Sequence, residues 1–421
     1  TKQDLSEAKA FSQESGLSYE KVWRSWEAGP SKIFLNEMEH RFNKDLILSL
    51  REYDSNHLIS TTNTWGRNPL FSLPALTDGD VIDVHSYGRV NALKTDPNEI
   101  SNYMHWIAAA QVANKPISVT EWNVGKFPVQ DRHTSPLYMG ASAAHQGWDA
   151  MMQFGYTAES PKKKGRAFNY AMYNDPSFLG MMPAAALLYR AGHVKEASKT
   201  YFFAPTKEQL MYKAITPQTS RAIRTVPEVS KLVIAMPKIN ELPWLDATQF
   251  PLDATVITDL DFSLVAKENT LIESDTGELI RDWGNGIYTI NTAKTKAATG
   301  WIGGHSINLN GVELNIKTLS SSVAVQALDD KPLNRSRNIL ISLAARAEPV
   351  KARKAPVLAE PVVGSVKVHA ALGLKLYKKV SDSKFVEVPM TYSNGVYQID
   401  LDINLKTYWL FLRAPKELDN V

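Results

Sequence analysis

The stretch KPISVTEWNVGKFPVQDRH, Lys115–His133, decides how the chain is read. Ile117, Val119 and Thr120 are β-branched and reach a strand's length with Ser118, so the pattern predicts a buried strand. The run ends on Glu121, Trp122 and Asn123. A carboxylate is costly inside an apolar core, so Glu121 is expected where the strand leaves the core and faces a cleft.

Working outward, HLISTTNTWG (57–66) and GDVIDVHSYG (79–88) are two more β-rich runs with polar ends. Asp96-Pro97-Asn98-Glu99 carries the cap, first-turn proline and acid of a helix start, and Ile100, Tyr103, Met104, Ile107, Ala108 and Val112 follow at helical spacing. A second helix is expected over Pro136–Asp149, with Leu137, Ala141, Ala144 and Trp148 on one stripe, then a strand over AMMQFGY, 150–156. Alternating strands and helices wire a parallel sheet, and in such sheets function gathers past the carboxyl ends of the strands. Asn63, Trp65, His85, Tyr87, Glu121, Trp122, Asn123 and Tyr156 all fall there. Together they supply what sugars need: aromatic planes for the apolar ring faces, and carboxylate, imidazole and amide for hydroxyls.

Composition narrows the classes. A chain of 421 residues with 44% hydrophobic residues is expected to form two or three domains. With 47 Lys and Arg against 44 Asp and Glu, and no long basic run, nucleic-acid binding is not expected. No apolar run approaches the roughly 18 residues of a membrane span. The absence of cysteine excludes disulfides and thiolate metal sites. Asp83-Val84-His85 has no third ligand at a recognisable spacing, so no metal is expected. No secretory leader pattern stands at the start, and Thr1 in place of Met points to a processed or truncated N-terminus.

Beyond about residue 280 the pattern changes. GIYTINT, VELNIKTL, SVAVQAL, NILISLAAR, SVKVHAAL, GLKLYKKV and TYWLFLR alternate apolar and polar residues between turns, as in an antiparallel β-sandwich. Residues 1–200 are therefore read as α/β, 201–280 as a β-rich connection or subdomain, and 281–421 as the sandwich.

VTEWN after a short strand, preceded by DVIDVHSYG and followed by HQGWDAMMQFGY and NDPSFLGMMPAAALLYRAGHVKEA, resembles the C-terminal half of the barrel in the clan of retaining TIM-barrel glycoside hydrolases. Agarase- and galactosidase-like members of that clan carry an appended β-domain. The resemblance covers residues 17–200 well and the β-domain loosely. It implies a (β/α)8 TIM-barrel portion, about strands five to eight. Glu121 would be the nucleophile on strand seven, and His85 and Tyr87 on strand six would orient it. Trp65, Trp122 and Trp148 become candidate sugar contacts. It further implies hydrolysis of a β-linked polysaccharide or oligosaccharide by double displacement, with no cofactor, and leans toward agar-type galactans. A secreted or periplasmic bacterial protein is expected.

A retaining hydrolase needs a second carboxylate about 5–5.5 Å from the first. In this clan it follows an asparagine at the end of strand four. The Asn36-Glu37 pair in SKIFLNEMEHRF sits instead among Phe34, Leu35, Met38, Phe42, Leu46 and Leu50 at helical spacing, which reads Glu37 as a solvated helix residue. The acid/base is therefore expected outside this chain, on an N-terminal barrel half from the same protein or a companion chain. A homo-oligomer is a further expectation. The competing readings are a non-catalytic carbohydrate-binding or scaffold protein that kept the cleft, and a structural subunit that assembles through its sandwich. Asp131-Arg132-His133 reads equally as an internal ion pair and as a substrate contact, and Trp23, Trp26, Trp106 and Trp301 as packing residues.

Overall fold

Ser60–Trp65 (β1), Val81–Gly88 (β2), Ile117–Val124 (β3) and Ala150–Gln153 (β4) form a parallel sheet in which each strand lies beside its neighbour in the chain. These elements come from a computed structural model that describes all residues except 25–26, 54, 126–128, 158–169, 352–353, 382–383 and 416–421. Trp26 lies outside the described residues. Helices Lys2–Ser15 (α1), Tyr19–Val22 (α2) and Pro30–Glu52 (α3) precede the sheet. Tyr103–Ala108 (α4) lies between β2 and β3, and Ser135–Gln146 (α5) between β3 and β4. A closed TIM barrel is not among the described elements; the parallel sheet is open, with β1 and β4 at its edges.

α4 is shorter than the spacing predicts. Asn102 caps it, accepting from the Met104 and His105 amides at 2.9 and 3.4 Å, while His105 Nδ1 accepts from the Asn102 amide at 3.0 Å. That reciprocal cap wins over Asp96-Pro97, where Asp96 instead closes a local turn on the Asn98 amide. Ile100 is consequently left outside the helix, half exposed. α5 stops where Gly147 takes the left-handed conformation, φ 63°.

The register carries one extra residue in β3. Asp83 lies opposite Ser118 and His85 opposite Glu121, so three residues of β3 span two of β2. Against β4 the offset recurs, with Val119 opposite Met151 and Trp122 opposite Gln153. Such a bulge breaks the two-residue alternation of side chains. Thr120 and Glu121 both reach the face that Asp83, His85 and Tyr87 share, and Trp122 turns to the other side against Phe178, with ring centroids 5.9 Å apart.

Residues 201–280 hold a second parallel sheet made of Thr200–Phe203 (β5), Lys231–Ile234 (β6) and Thr255–Ile257 (β7), ordered β6-β5-β7. Pro176–Tyr189 (α6) precedes it and Arg221–Val229 (α7) lies within it. Phe203, Leu232 and Ile234 join the same apolar core as Ile82, Val84, Ile117 and Val119, so this segment has no core of its own.

The C-terminal region pairs a nine-stranded antiparallel sheet with one of five strands. Val323, Val325, Ile339 and Ile341 from the first pack with Leu314, Ile316, Val366 and Ile399 from the second. The opposite face of the larger sheet is also covered: Ala297, Ala324, Ala344, Tyr288 and Ile290 belong to the first core. Small side chains let α6 lie close, and Gln326 and Trp409 donate to the carbonyls of Ala184 and Gly180 at 3.2 and 2.8 Å.

Two buried histidines stitch this interface. His133 lies between the hydroxyls of Ser322 and Ser320 at 2.7 and 3.1 Å, and His193 Nδ1 lies 2.9 Å from Thr295 Oγ1. Burial pushes their pKa values down to about 3 and about 4. Both are neutral when folded but bind protons below about pH 6.5 when unfolded. The unfolded state then holds more protons, so stability is full above about pH 6.5 and falls as the pH drops toward 4. We expect a loss on the order of 1 kcal/mol per pH unit for each histidine. Urea unfolding at pH 7 and pH 5 checks this, with His133→Asn flattening the slope; an unchanged midpoint across that range would refute it.

Candidate active site

Glu121 stands in the carboxyl half of β3, about a quarter exposed, in contact with two side chains of β2. The Tyr87 hydroxyl donates to Glu121 Oε2 at 2.5 Å, and His85 Nδ1 lies 3.3 Å from the same oxygen without the alignment of a hydrogen bond. Oε1 accepts no hydrogen bond from a described residue. Burial, and then the bond to Glu121, push the Tyr87 phenol well above its ordinary range, so it remains a donor at any working pH.

Below the carboxylate runs a polar chain. Asp83, buried, accepts from Ser118 Oγ at 2.8 Å and from Thr120 Oγ1 at 2.9 and 2.7 Å. Thr120 has one hydroxyl proton, and it goes to Asp83. His85 Nε2, 2.9 Å from Thr120 Oγ1, must therefore be the donor of that pair. Nδ1 is then the atom that faces Glu121. Asn63 lies beside the chain, its Nδ2 3.4 Å from His85 Nε2, a contact between two donors rather than a hydrogen bond.

Aromatic rings wall the site. Trp65, 52% exposed, lies 5.3 Å from His85 and 6.3 Å from Tyr87. Phe154 and Tyr170 stand edge-on to Tyr87 at 6.4 and 5.1 Å. A cleft of about 430 Å³ opens beside Tyr87, between Gly66, Gly88, Thr95 and Trp106. A comparable cleft of about 350 Å³ between Leu343 and Tyr408 belongs to the sandwich and holds none of the strand-end residues.

Asn63, Trp65, His85, Tyr87 and Glu121 thus come together on one face. Tyr156 lies past β4, half exposed and edge-on to Tyr173 at 5.6 Å. Three expected sugar contacts are placed elsewhere. Trp122 is buried on the helix side because of the bulge. Trp148 is buried ahead of β4, at the entry end of that strand, where its carbonyl accepts from the Tyr189 hydroxyl. Asn123 is fully buried, with its amide donating to the Tyr170 and Phe154 carbonyls and its oxygen accepting from Arg132 Nη2 at 3.0 Å. Asp83 enters the sequence reading only as half of a metal pair, and Thr120, Phe154 and Tyr170 are not singled out there. Thr120 looked like a core strand residue, and Tyr170 lies 47 positions beyond Asn123 with no local pattern tying it to the site.

No known family model, curated protein or solved structure matches the chain.

Asp131, Arg132 and His133 all point inward. Asp131 accepts from the Asn91 amide at 2.6 Å, Arg132 pairs with buried Asp175 at 3.3 Å, and His133 meets the sandwich. Glu37 lies on α3 and is less solvated than its helical spacing suggests. Arg41 Nε and Trp244 Nε1 each donate to it at 2.7 Å, leaving the side chain 13% exposed. Of the tryptophans read as packing residues, Trp23 is 42% exposed, while Trp301 lies under the Lys94 ammonium at 4.5 Å. Among the described residues no three His, Cys, Asp or Glu side chains converge as a metal site, and no helix is long and apolar enough to cross a membrane.

Proposed function

We propose that the chain carries the nucleophile half of a retaining glycoside hydrolase, acting on a β-linked polysaccharide or oligosaccharide outside the cytoplasm. The observation that carries this reading is the Tyr87 hydroxyl bond to Glu121 Oε2, at a strand end walled by Trp65, with Oε1 left open. In the first step Oε1 bonds to the anomeric carbon as the bond to the glycosidic oxygen breaks, and that oxygen takes a proton from the acid. In the second, water attacks the same carbon, gives its proton back to the acid's carboxylate, and releases Glu121.

No described carboxylate touches Glu121, so the acid would come from a facing segment. Two features support such a segment. β1 and β4 are edge strands with no outer partner among the described residues. On α3, Leu35, Phe42, Leu46 and Leu50 form an exposed apolar stripe of the kind a neighbouring helix covers. A closed eight-stranded barrel, with β1–β4 as strands five to eight, satisfies both. The same absence favours the second reading, a carbohydrate-binding protein that keeps the cleft without the chemistry.

A panel of 2,4-dinitrophenyl 2-deoxy-2-fluoroglycosides separates the two readings, because dinitrophenolate leaves without an acid. We expect one equivalent released and the sugar covalently attached to the peptide containing Glu121. Binding without attachment, or attachment at another residue, removes the hydrolase reading.

A further inference from the structure

The cleft beside Tyr87 is charged on one side only. Arg67 and Arg89 line it, each two residues beyond a site residue: Trp65 for one, Tyr87 for the other. Both guanidinium groups are exposed, and neither has a hydrogen-bond or ion-pair partner among the described residues. The remaining lining residues include Thr95, Ser101, Asn102 and Gln218 but no carboxylate. Of the nearby acids, Asp96 accepts from the Asn98 amide and Asp131 from the Asn91 amide, and the exposed Glu99 lies outside the lining. Two guanidinium groups facing one cleft without a counter-charge repel each other and wait for an anion.

The backbone adds a second observation. Arg67 has φ 123°, a region that a residue with a side chain rarely adopts. Glycine would sit there without strain, so the position carries an arginine against its backbone preference. Trp106 and the exposed Ile100 lie on the same lining and give an apolar ring face a surface to rest on.

We propose that this cleft is the subsite for an acidic sugar, whose sulfate ester or carboxylate is held by Arg67 and Arg89, so that the substrate is an anionic polysaccharide. The inference rests on the glycoside hydrolase reading, through Tyr87, which lines this cleft and donates to Glu121. It also extends that reading, since nothing in the nucleophile geometry requires a charged substrate. Guanidinium groups bind both anions in the same two-pronged way, so the cleft fixes the charge and the choice of group falls to experiment.

The test measures binding rather than turnover, using the full chain with Glu121→Gln so that no ligand is consumed. The probes are oligosaccharides of a sulfated galactan, the same material chemically desulfated, and an oligouronate. We expect an anionic probe to bind more tightly than the neutral one, with affinity falling as salt rises. Arg67→Gln and Arg89→Gln should each weaken the anionic probe roughly tenfold to a hundredfold and leave the neutral one unchanged. Preference for the sulfated probe identifies a sulfate ester; preference for the uronate identifies a carboxylate. Equal binding of charged and neutral probes, no binding of any, or a preference that survives in the double variant overturns the proposal. Unchanged melting temperatures confirm that the variants are folded. If the arginine-dependent preference holds while the fluoroglycoside fails to label Glu121, the hydrolase reading fails alone; labelling without the preference fails this inference alone.

Discussion

Glu121→Gln should slow the burst of dinitrophenol from an activated glycoside by on the order of 10³- to 10⁶-fold, the range seen when a covalent nucleophile is removed. Gln keeps the shape and still accepts from the Tyr87 hydroxyl, so the melting temperature should hold. Glu121→Ala in the presence of azide gives a sharper result. Azide enters the space left by the carboxylate and attacks the same face of the sugar, so the glycosyl azide should have inverted configuration. A retained configuration would assign Glu121 to proton transfer, and a burst at the original rate would remove it from the chemistry. Tyr87→Phe should cost less, about tenfold to a hundredfold, because it removes one hydrogen bond to a charged acceptor and leaves the attacking oxygen in place.

The largest effect on stability is expected at Arg281, far from that carboxylate in sequence. Glu228, Arg281 and His105 are all buried. Arg281 Nη2 and Nε donate to the two Glu228 oxygens at 2.6 and 2.9 Å, and His105 Nε2 lies 2.8 Å from Oε1. Arg281 also donates to the Thr95 and Leu93 carbonyls at 2.8 and 3.1 Å, joining α7, the sandwich sheet and the segment after β2. Burial alone would raise the Glu228 pKa, but the guanidinium and the imidazole together hold it down to about 2. Arg281→Met leaves a buried carboxylate without its cation and should cost about 3–5 kcal/mol. Pairing it with Glu228→Gln should recover part of that loss, as a double-mutant cycle by urea unfolding would show. A loss under about 1 kcal/mol in the single variant would mean that Glu228 takes up a proton at little cost.

What could be read in advance depended on how local the signal was. The first three strands of the first sheet are legible because β-branched runs end in polar residues, and the fourth because an apolar run follows a helix; the ends of the first three put Asn63, Trp65, His85, Tyr87 and Glu121 on one list. Trp122 was misplaced because the extra residue in β3 shifts the alternation by one, and nothing in VTEWN marks a bulge. Trp148 was misplaced because the helix stripe that carries it ends at the opposite end of the sheet from the cleft. β5, β6 and β7 span only three or four residues each, too short for periodicity to stand out from loops. The Glu228 cluster was invisible for another reason: its partners lie 53 and 123 positions away, and no pattern in a single sequence joins them.

The nine-stranded sheet with both faces covered has a consequence for how the molecule can be divided. Val323, Val325 and Ile341 face one layer and Ala297, Ala324 and Ala344 the other, so a single sheet serves as wall to two cores. Cutting near residue 280 would strip the first core of its alanine floor and leave α6 facing water. The β-rich region is therefore no detachable cassette. It cannot be grafted onto another catalyst, or pruned to make a smaller one, without rebuilding the surface it closes.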